Sequence, residues 1–234
     1  MKVGVYLSHV GLGANLLHLS YCHQIAKKHG PITIITLCKN LKEALEDDPH
    51  VEKVYCITKY QKKLIDVYKL STTLKEFKFN QLLVFYPSLR IFIAAKLAGI
   101  GHVNIYNIFK KKNLHIINAA KKFTENYLGI KDCPTETNFY IDKNKVSNLN
   151  VENKNKFKIV IGAGSSGPST RWGAKNYSNL INKLNETGNY FFYILCGPNE
   201  KKIEDEIVSD LQKDNFKKLS DKTIRDLLPY LCSS

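Results

Sequence analysis

No stretch of this chain holds the 18 or so uninterrupted apolar residues that a bilayer-crossing helix requires, so none is expected. The six cysteines (Cys22, Cys38, Cys56, Cys133, Cys196 and Cys232) are widely spread and include no CxxC pair. That argues against a zinc site and against a disulfide framework. Cys38, Cys56 and Cys196 lie in or beside apolar runs, where free cysteine acts as a small buried hydrophobe, and a reducing cytosol is expected. No Gly-x-Ser-x-Gly elbow is present. Residues 162–169 nearly match P-loop spacing, but Pro168 stands where the phosphate-binding lysine must be. After the first strand, Gly11-Leu12-Gly13 is followed by Leu16 at the third glycine position. No acidic residue closes the second strand near Cys38, so a nicotinamide site is poorly supported. The opening apolar run is too brief for a signal peptide. His18 and His23, five apart, share no helix face well, so no metal site is expected.

What is present is a basic, globular composition. Lys and Arg number 35 against 21 acidic residues, for a net charge of +14, and 44% of residues are hydrophobic. The lysines are scattered rather than clustered in blocks. Such diffuse charge attracts phosphorylated substrates, anionic lipid and nucleic acid without choosing among them.

Strands and helices alternate along the chain. Strands are expected at Val3–Leu7, Ile32–Leu37, Val54–Ile57, Gln81–Tyr86 and Val103–Tyr106, with helices between and after them. Leu17, Tyr21 and Ile25 mark the first helix, and Gly30-Pro31 ends it. Asn40 and Glu43 have capping-box spacing. The polar stretch from Asp142 to Lys156 is the best linker candidate. Residues 1–143 then form one α/β domain, 144–156 a linker, and 157–234 a second, unfinished α/β domain. This alternation implies parallel sheets covered on both faces.

The second domain opens on IVIGAGSSGPSTRWG, residues 159–173: an apolar strand, a loop rich in Gly and Ser, then a helix. Glycines admit close approach, hydroxyls and N–H groups donate to oxygens, and a helix N-terminus favours negative charge. Arg171 adds a fixed positive fork. Two readings stay open on these residues alone, a phosphate cradle or a loop that merely turns the chain.

The run GAGSSGPSTRWGAKNYSNLINKL followed by YFFYILCGPNEKKIEDEI resembles the donor-binding half of glycosyltransferase family 9, the lipopolysaccharide heptosyltransferases. The segments DDPHVEKVYCI and LLVFYPSLRIFIAAKLAGIGHVNIYN resemble the family's first half, in the right order. The resemblance implies a GT-B fold of two Rossmann-like domains, the first taking the acceptor and the second the nucleotide-sugar. It implies inverting, metal-independent transfer of a sugar, expected to be heptose, from an ADP-sugar to a lipopolysaccharide core. No cofactor is expected beyond that donor. The implied partners are a nucleotide-sugar and an anionic glycolipid, with peripheral contact at the inner membrane, a cytoplasmic location and no nucleic acid.

By the same resemblance, Gly164, Ser165, Ser166, Ser169, Thr170, Arg171 and Glu200 would bind the donor. Arg171 would face the diphosphate and Glu200 the ribose, while Gly11, Gly13 and Asn15 would form the acceptor-side loop. The sequence departs from the family pattern at three points. Thr170 stands in place of a phosphate-contacting lysine. Ala14 stands where an aspartate base is usual, and neither Ala14 nor Asn15 can take a proton; His9 on the same loop is the substitute candidate. The family's Asp-[Ser/Thr]-Gly-x-x-His loop would fall after Ser234, so the chain is expected to be truncated at its C-terminus. The alternative is a non-catalytic nucleotide-sugar- or glycan-binding relative.

Overall fold

The computed structural model describes residues 1–57, 64–106, 115–141, 143–151, 153–164, 171–197, 200–211 and 213–234. They fall into two compact units, Met1–Tyr140 and Ile141–Ser234.

In the first unit the order is β1 (Val3–Leu7), α1 (Leu12–Leu16), α2 (Leu19–His29), β2 (Ile32–Thr36), α3 (Leu41–Ala44) and β3 (Val51–Cys56). Then come α4 (Leu64–Phe77), β4 (Gln81–Val84), α5 (Leu89–Leu97), β5 (His102–Ile105) and α6 (Ile116–Leu128). The strands form one parallel sheet in the order β3-β2-β1-β4-β5. Both faces are covered, which is why β1 and β2 are buried at every position. Val3, Val5 and Leu7 pack with Tyr21, Ile25 and Ala120 on one face. Tyr6 points the other way, among Leu74, Phe79, Ile91 and Ala94. Each fully buried aliphatic side chain of these layers contributes about 1.5–3 kcal/mol. Gly4 is required by packing, because a Cβ there would stand 2.8 Å from the Phe79 ring. The chain walks outward from β1 through β2 to β3, then restarts on the other side of β1 with β4. That reversal leaves a crevice at the carboxyl ends of β1 and β4, where ligands bind in open α/β sheets.

Three local expectations need correction. The first helix is two helices, broken at Leu17–His18, and Leu17 is exposed rather than part of the apolar stripe. The His18 amide bonds Asn15 O at 3.0 Å, while the His18 ring takes Ala14 O at 2.7 Å, so the regular ladder is interrupted. Asn40 does precede α3, but its own backbone is helical and its side chain makes no cap bond. The linker placed at 144–156 is largely a helix, α7 (Lys143–Val151).

In the second unit α7 is followed by β6 (Phe157–Gly162), α8 (Ala174–Thr187), β7 (Tyr190–Leu195), α9 (Lys201–Val208), β8 (Phe216–Lys218) and α10 (Ile224–Cys232). The strands again run parallel, in the order β6-β7-β8. Alternate residues of β7 serve two layers: Phe192 and Ile194 meet Ile181 and Ile207, whereas Phe191 and Tyr193 meet Leu227 and Tyr230. α7 docks on the latter layer through Leu149, with Lys158 Nζ donating to Leu149 O. That apolar anchor, this bond and an ion pair of Lys145 with Asp226 at 3.8 Å hold a helix that composition alone marks as a connector. Among the described residues no helix is long and apolar enough to cross a membrane.

Candidate functional site

The second-unit site is built by two adjacent loops. β6 and β7 are parallel and paired through Gly162 and Leu195, so the chain leaving each strand emerges side by side. Ala163 N donates to Leu195 O at 3.0 Å and extends the pairing into the loops. The first loop brings Gly164 and, after residues 165–170, Arg171; the second brings Gly197 and then Glu200 at the N-terminus of α9. The Arg171 guanidinium (Nη2) donates to Glu200 Oε1 at 2.8 Å, and Gly197 N–H donates to Glu200 Oε2 at 2.9 Å. Glu200 N–H in turn donates to Gly197 O at 2.8 Å. A Cβ on Gly164 would overlap Glu200 Oε2, so this glycine is what lets the carboxylate press against the loop.

Arg171 and Glu200, 29 residues apart in sequence, are thereby brought together with both glycines. Ser165, Ser166, Ser169 and Thr170 lie outside the described residues. Trp172 is exposed, with its ring edge-on to Tyr177 at 5.1 Å. Burial, then the carboxylates of Glu204 and Glu200, push the Cys196 thiol up to about 11, so it stays protonated at neutral pH and is no nucleophile.

Sequence reasoning missed Glu204, one turn further along α9. Its side chain is buried and accepts from Leu219 N at 3.1 Å, Ser220 N at 3.0 Å and the Ser220 hydroxyl at 2.5 Å. This anchors α9 to the turn after β8 and so fixes the helix that presents Glu200. A readable signal is the glutamate's place between Ile203 and Ile207 on the apolar face of the helix.

In the first unit the loop after β1 is fastened from within by Asn15. Its Nδ2 donates to His9 O at 2.9 Å and Gly11 O at 2.7 Å, and its Oδ1 accepts from Thr36 Oγ1 at 2.8 Å. Thr36 Oγ1 accepts from Cys38 N at 3.0 Å, tying the loop to the end of β2. Asn15 is buried, so it shapes the loop after β1 rather than offering its amide to a ligand. Gly11 and Gly13 face open space, with no negative requirement from neighbouring atoms. Gly11 lines a cavity of about 530 Å³ with Val10, Leu12, Leu37, Lys39 and Ile57. Its lining mixes apolar side chains with the Asn40 amide and the Lys39 ammonium, at the carboxyl ends of β1, β2 and β3.

His9 is half-buried, and its ring nitrogens have no hydrogen-bond partner among the described residues. Its ring stacks on that of His18 at 5.2 Å, and His18 sits edge-on to Phe85, just past β4. Burial lowers the pKa of His9 below the usual imidazole value, so it is a neutral base at pH 7. His18 is buried completely; Nδ1–H must be the donor to Ala14 O, and Nε2 is a buried acceptor without a partner among the described residues. Burial pulls its pKa down to about 4.

A pH dependence of stability follows for His18. Its folded pKa of about 4 lies below the 6.5 of an unfolded imidazole, so the unfolded chain binds the proton first. The contribution is complete above pH 6.5 and is lost as pH falls toward 4, amounting to about 3 kcal/mol at most. Urea midpoints measured from pH 7 to pH 4 are expected to fall more steeply in the wild type than in His18→Phe; equal slopes would refute this assignment.

His23, by contrast, is structural. Its Nε2 meets Asp48 Oδ2 at 2.6 Å inside the unit, and Asp48 Oδ1 accepts from His50 N at 2.9 Å. Among the described residues no group of three His, Cys, Asp or Glu side chains is placed to hold a metal ion.

The chain is similar to solved glycosyltransferase structures. A glycosyltransferase family 9 protein from Veillonella parvula aligns with a TM-score of 0.77 at 16% identity, covering 98% of this chain and 73% of that one. The ADP-heptose lipopolysaccharide heptosyltransferase II of E. coli aligns with a TM-score of 0.70 at 16% identity, covering 100% and 77%. The E. coli heptosyltransferase WaaC, solved with ADP-2-deoxy-2-fluoro heptose, gives 0.68 at 11% identity, covering 100% and 81%. At these identities the likeness establishes the fold, an α/β architecture of GT-B type. No curated protein matches the sequence. The family model for glycosyltransferase family 9 (heptosyltransferase) matches residues 98–230, more than half of the chain. With that span running from the end of α5 through the Arg171–Glu200 cluster to α10, the chain belongs to glycosyltransferase family 9.

Proposed function

We propose that this glycosyltransferase moves heptose from an ADP-sugar to the core of a lipopolysaccharide acceptor, inverting the anomeric centre without a metal. The observation that carries the donor half is the cluster of Arg171, Gly197 N–H and Gly164 at the carboxyl ends of β6 and β7. A guanidinium fork, a backbone donor and a bare backbone surface at a helix N-terminus suit a diphosphate. The likeness to a protein solved with an ADP-sugar analogue supports adenine as the base.

In the reaction an acceptor hydroxyl oxygen attacks the anomeric carbon while the bond to the diphosphate breaks. The diphosphate leaves with the electron pair, and Arg171 together with Gly197 N–H stabilises the charge that develops on it. The hydroxyl proton goes to His9, the unpartnered neutral imidazole beside the 530 Å³ cavity loop. That cavity, with Lys39 and Asn40 on its wall, suits an acceptor that carries an anionic group. A direct test is transfer from ADP-heptose to lipopolysaccharide core, followed as ADP release. Release from a UDP-sugar but not from ADP-heptose would overturn the donor assignment. Ala14 at the usual carboxylate position favours a second reading, a chain that binds nucleotide-sugar without transferring it; ADP binding with no release above the uncatalysed rate would select that reading.

A glycolipid acceptor places the protein at a membrane surface in the cytoplasm. Exposed Leu89, Ile93 and Leu97 follow one another at four-residue spacing on α5, beside exposed Arg90, and α5 contains no acidic residue. This stripe suits an anionic bilayer. Leu89→Glu with Ile93→Glu is expected to lower co-sedimentation with phosphatidylglycerol vesicles about tenfold or more, each buried CH₂ being worth about 0.8 kcal/mol. Unchanged co-sedimentation would remove the stripe from that role.

A further inference from the structure

We infer that Glu200 is a built-in competitor for the donor's phosphate, its carboxylate seated where a phosphate oxygen of the ligand must go. This rests on the donor reading of the same cluster. The carboxylate takes Arg171 on one oxygen at 2.8 Å and Gly197 N–H on the other at 2.9 Å, and it lies against the bare backbone of Gly164. Those three features are what an incoming diphosphate would use. A carboxylate and a phosphate ask for the same partners: a guanidinium fork, an N–H donor and room for close approach. The glutamate side chain is only 11% exposed, against 35% for the arginine, so the acid is the deeper member of the pair and its charge offsets that of the outer arginine.

Two consequences follow. A ligand anion must first displace a single negative charge from Arg171 and Gly197 N–H, which a diphosphate, with its higher charge, can outcompete better than a monoanion. Once displaced, the Glu200 carboxylate has lost both acceptor roles and is available to accept from the vicinal hydroxyls of a ribose. Phosphate and ribose recognition are then coupled through one side chain: pyrophosphate bears the displacement cost without the compensating diol, and adenosine brings the diol without the anion that moves the carboxylate. Binding of ADP is therefore expected to exceed what its two halves provide separately.

The test is calorimetric titration of pyrophosphate, adenosine and ADP into the wild type, Glu200→Gln, Glu200→Asp and Arg171→Ala/Glu200→Gln. Glutamine keeps the shape and can still accept from Gly197 N–H, but it carries no charge; aspartate is too short to meet Arg171 and Gly197 N–H together. Both single variants are expected to bind pyrophosphate about three- to tenfold more tightly than the wild type, the range for loss of a partly buried competing charge. That gain is expected to vanish in the double variant, where the guanidinium is gone. ADP is expected to gain less than pyrophosphate, because its diol loses a partner. Pyrophosphate binding that is unchanged or weaker in both Glu200 variants, while the wild type binds ADP, overturns the competitor role and leaves the donor site standing. Wild type that binds neither ADP nor pyrophosphate overturns the donor reading and this inference together. Thermal unfolding of each variant, with a midpoint close to that of the wild type, shows that the comparison is between folded proteins.

Discussion

His9→Ala is expected to lower the transfer rate about 10²–10⁴-fold with little change in ADP affinity, the usual range for loss of a general base. The imidazole lies on the loop after β1, it has ring nitrogens without a partner among the described residues, and burial keeps it neutral at pH 7. The base works in its deprotonated form, so the rate rises with pH through the His9 pKa and then levels off. Because burial places that pKa below the ordinary 6.5, the rising limb lies on the acid side of pH 6.5, and the enzyme is at its plateau at neutrality. The variant is expected to lack the limb and to recover part of its rate with added imidazole. A His9→Ala enzyme with wild-type turnover and an unchanged pH profile would assign the proton to another group.

Arg171→Ala carries the second large effect. The fork is expected to meet the diphosphate where charge accumulates as the sugar departs, so kcat/KM should fall about 10²–10³-fold. ADP affinity should fall about 10–100-fold, the value of a hydrogen bond to a charged group. Adenosine, which has no phosphate, serves as the control and should bind no more weakly than before. In the ligand-free protein the guanidinium is one-third exposed and held by Glu200, so the pair itself adds little to folding stability. Thermal midpoints of wild type and variant should therefore agree within a few degrees while ADP binding separates them. ADP affinity within twofold of wild type would remove Arg171 from the site.

Much of this was legible because it depends on local rules. Short apolar runs and the helices between them located the five strands of the first sheet and β6, since a strand buried on both faces reads as a near-continuous apolar run. The glycine loop and Arg171 read as a candidate anion site because glycine, a helix N-terminus and a guanidinium share one chemistry. What escaped depends on distant partners. The break at His18 comes from a side chain taking Ala14 O, and no propensity encodes that choice. Asn15 reads as a loop residue open to ligands, yet Thr36, 21 residues away, draws it into the interior. α7 reads as a linker because its single apolar anchor, Leu149, gains its value only from the layer it meets. The meeting of Arg171 with Glu200 is set by strand pairing between β6 and β7, which fixes their approach but not which charge answers which.

The buried carboxylate of Glu204 also determines how the second unit comes apart. Ser220 donates its amide to a side chain on α9, and Leu219 shares its amide between that carboxylate and Ile194 O of β7. The Ser220 amide cannot meet solvent deuterium until α9 lifts away, and lifting α9 strands the Glu204 carboxylate and that N–H at once. Hydrogen exchange at Ser220 thus reports the opening of α9, and the helix that carries Glu200 and the turn that leads into α10 are released as one cooperative segment.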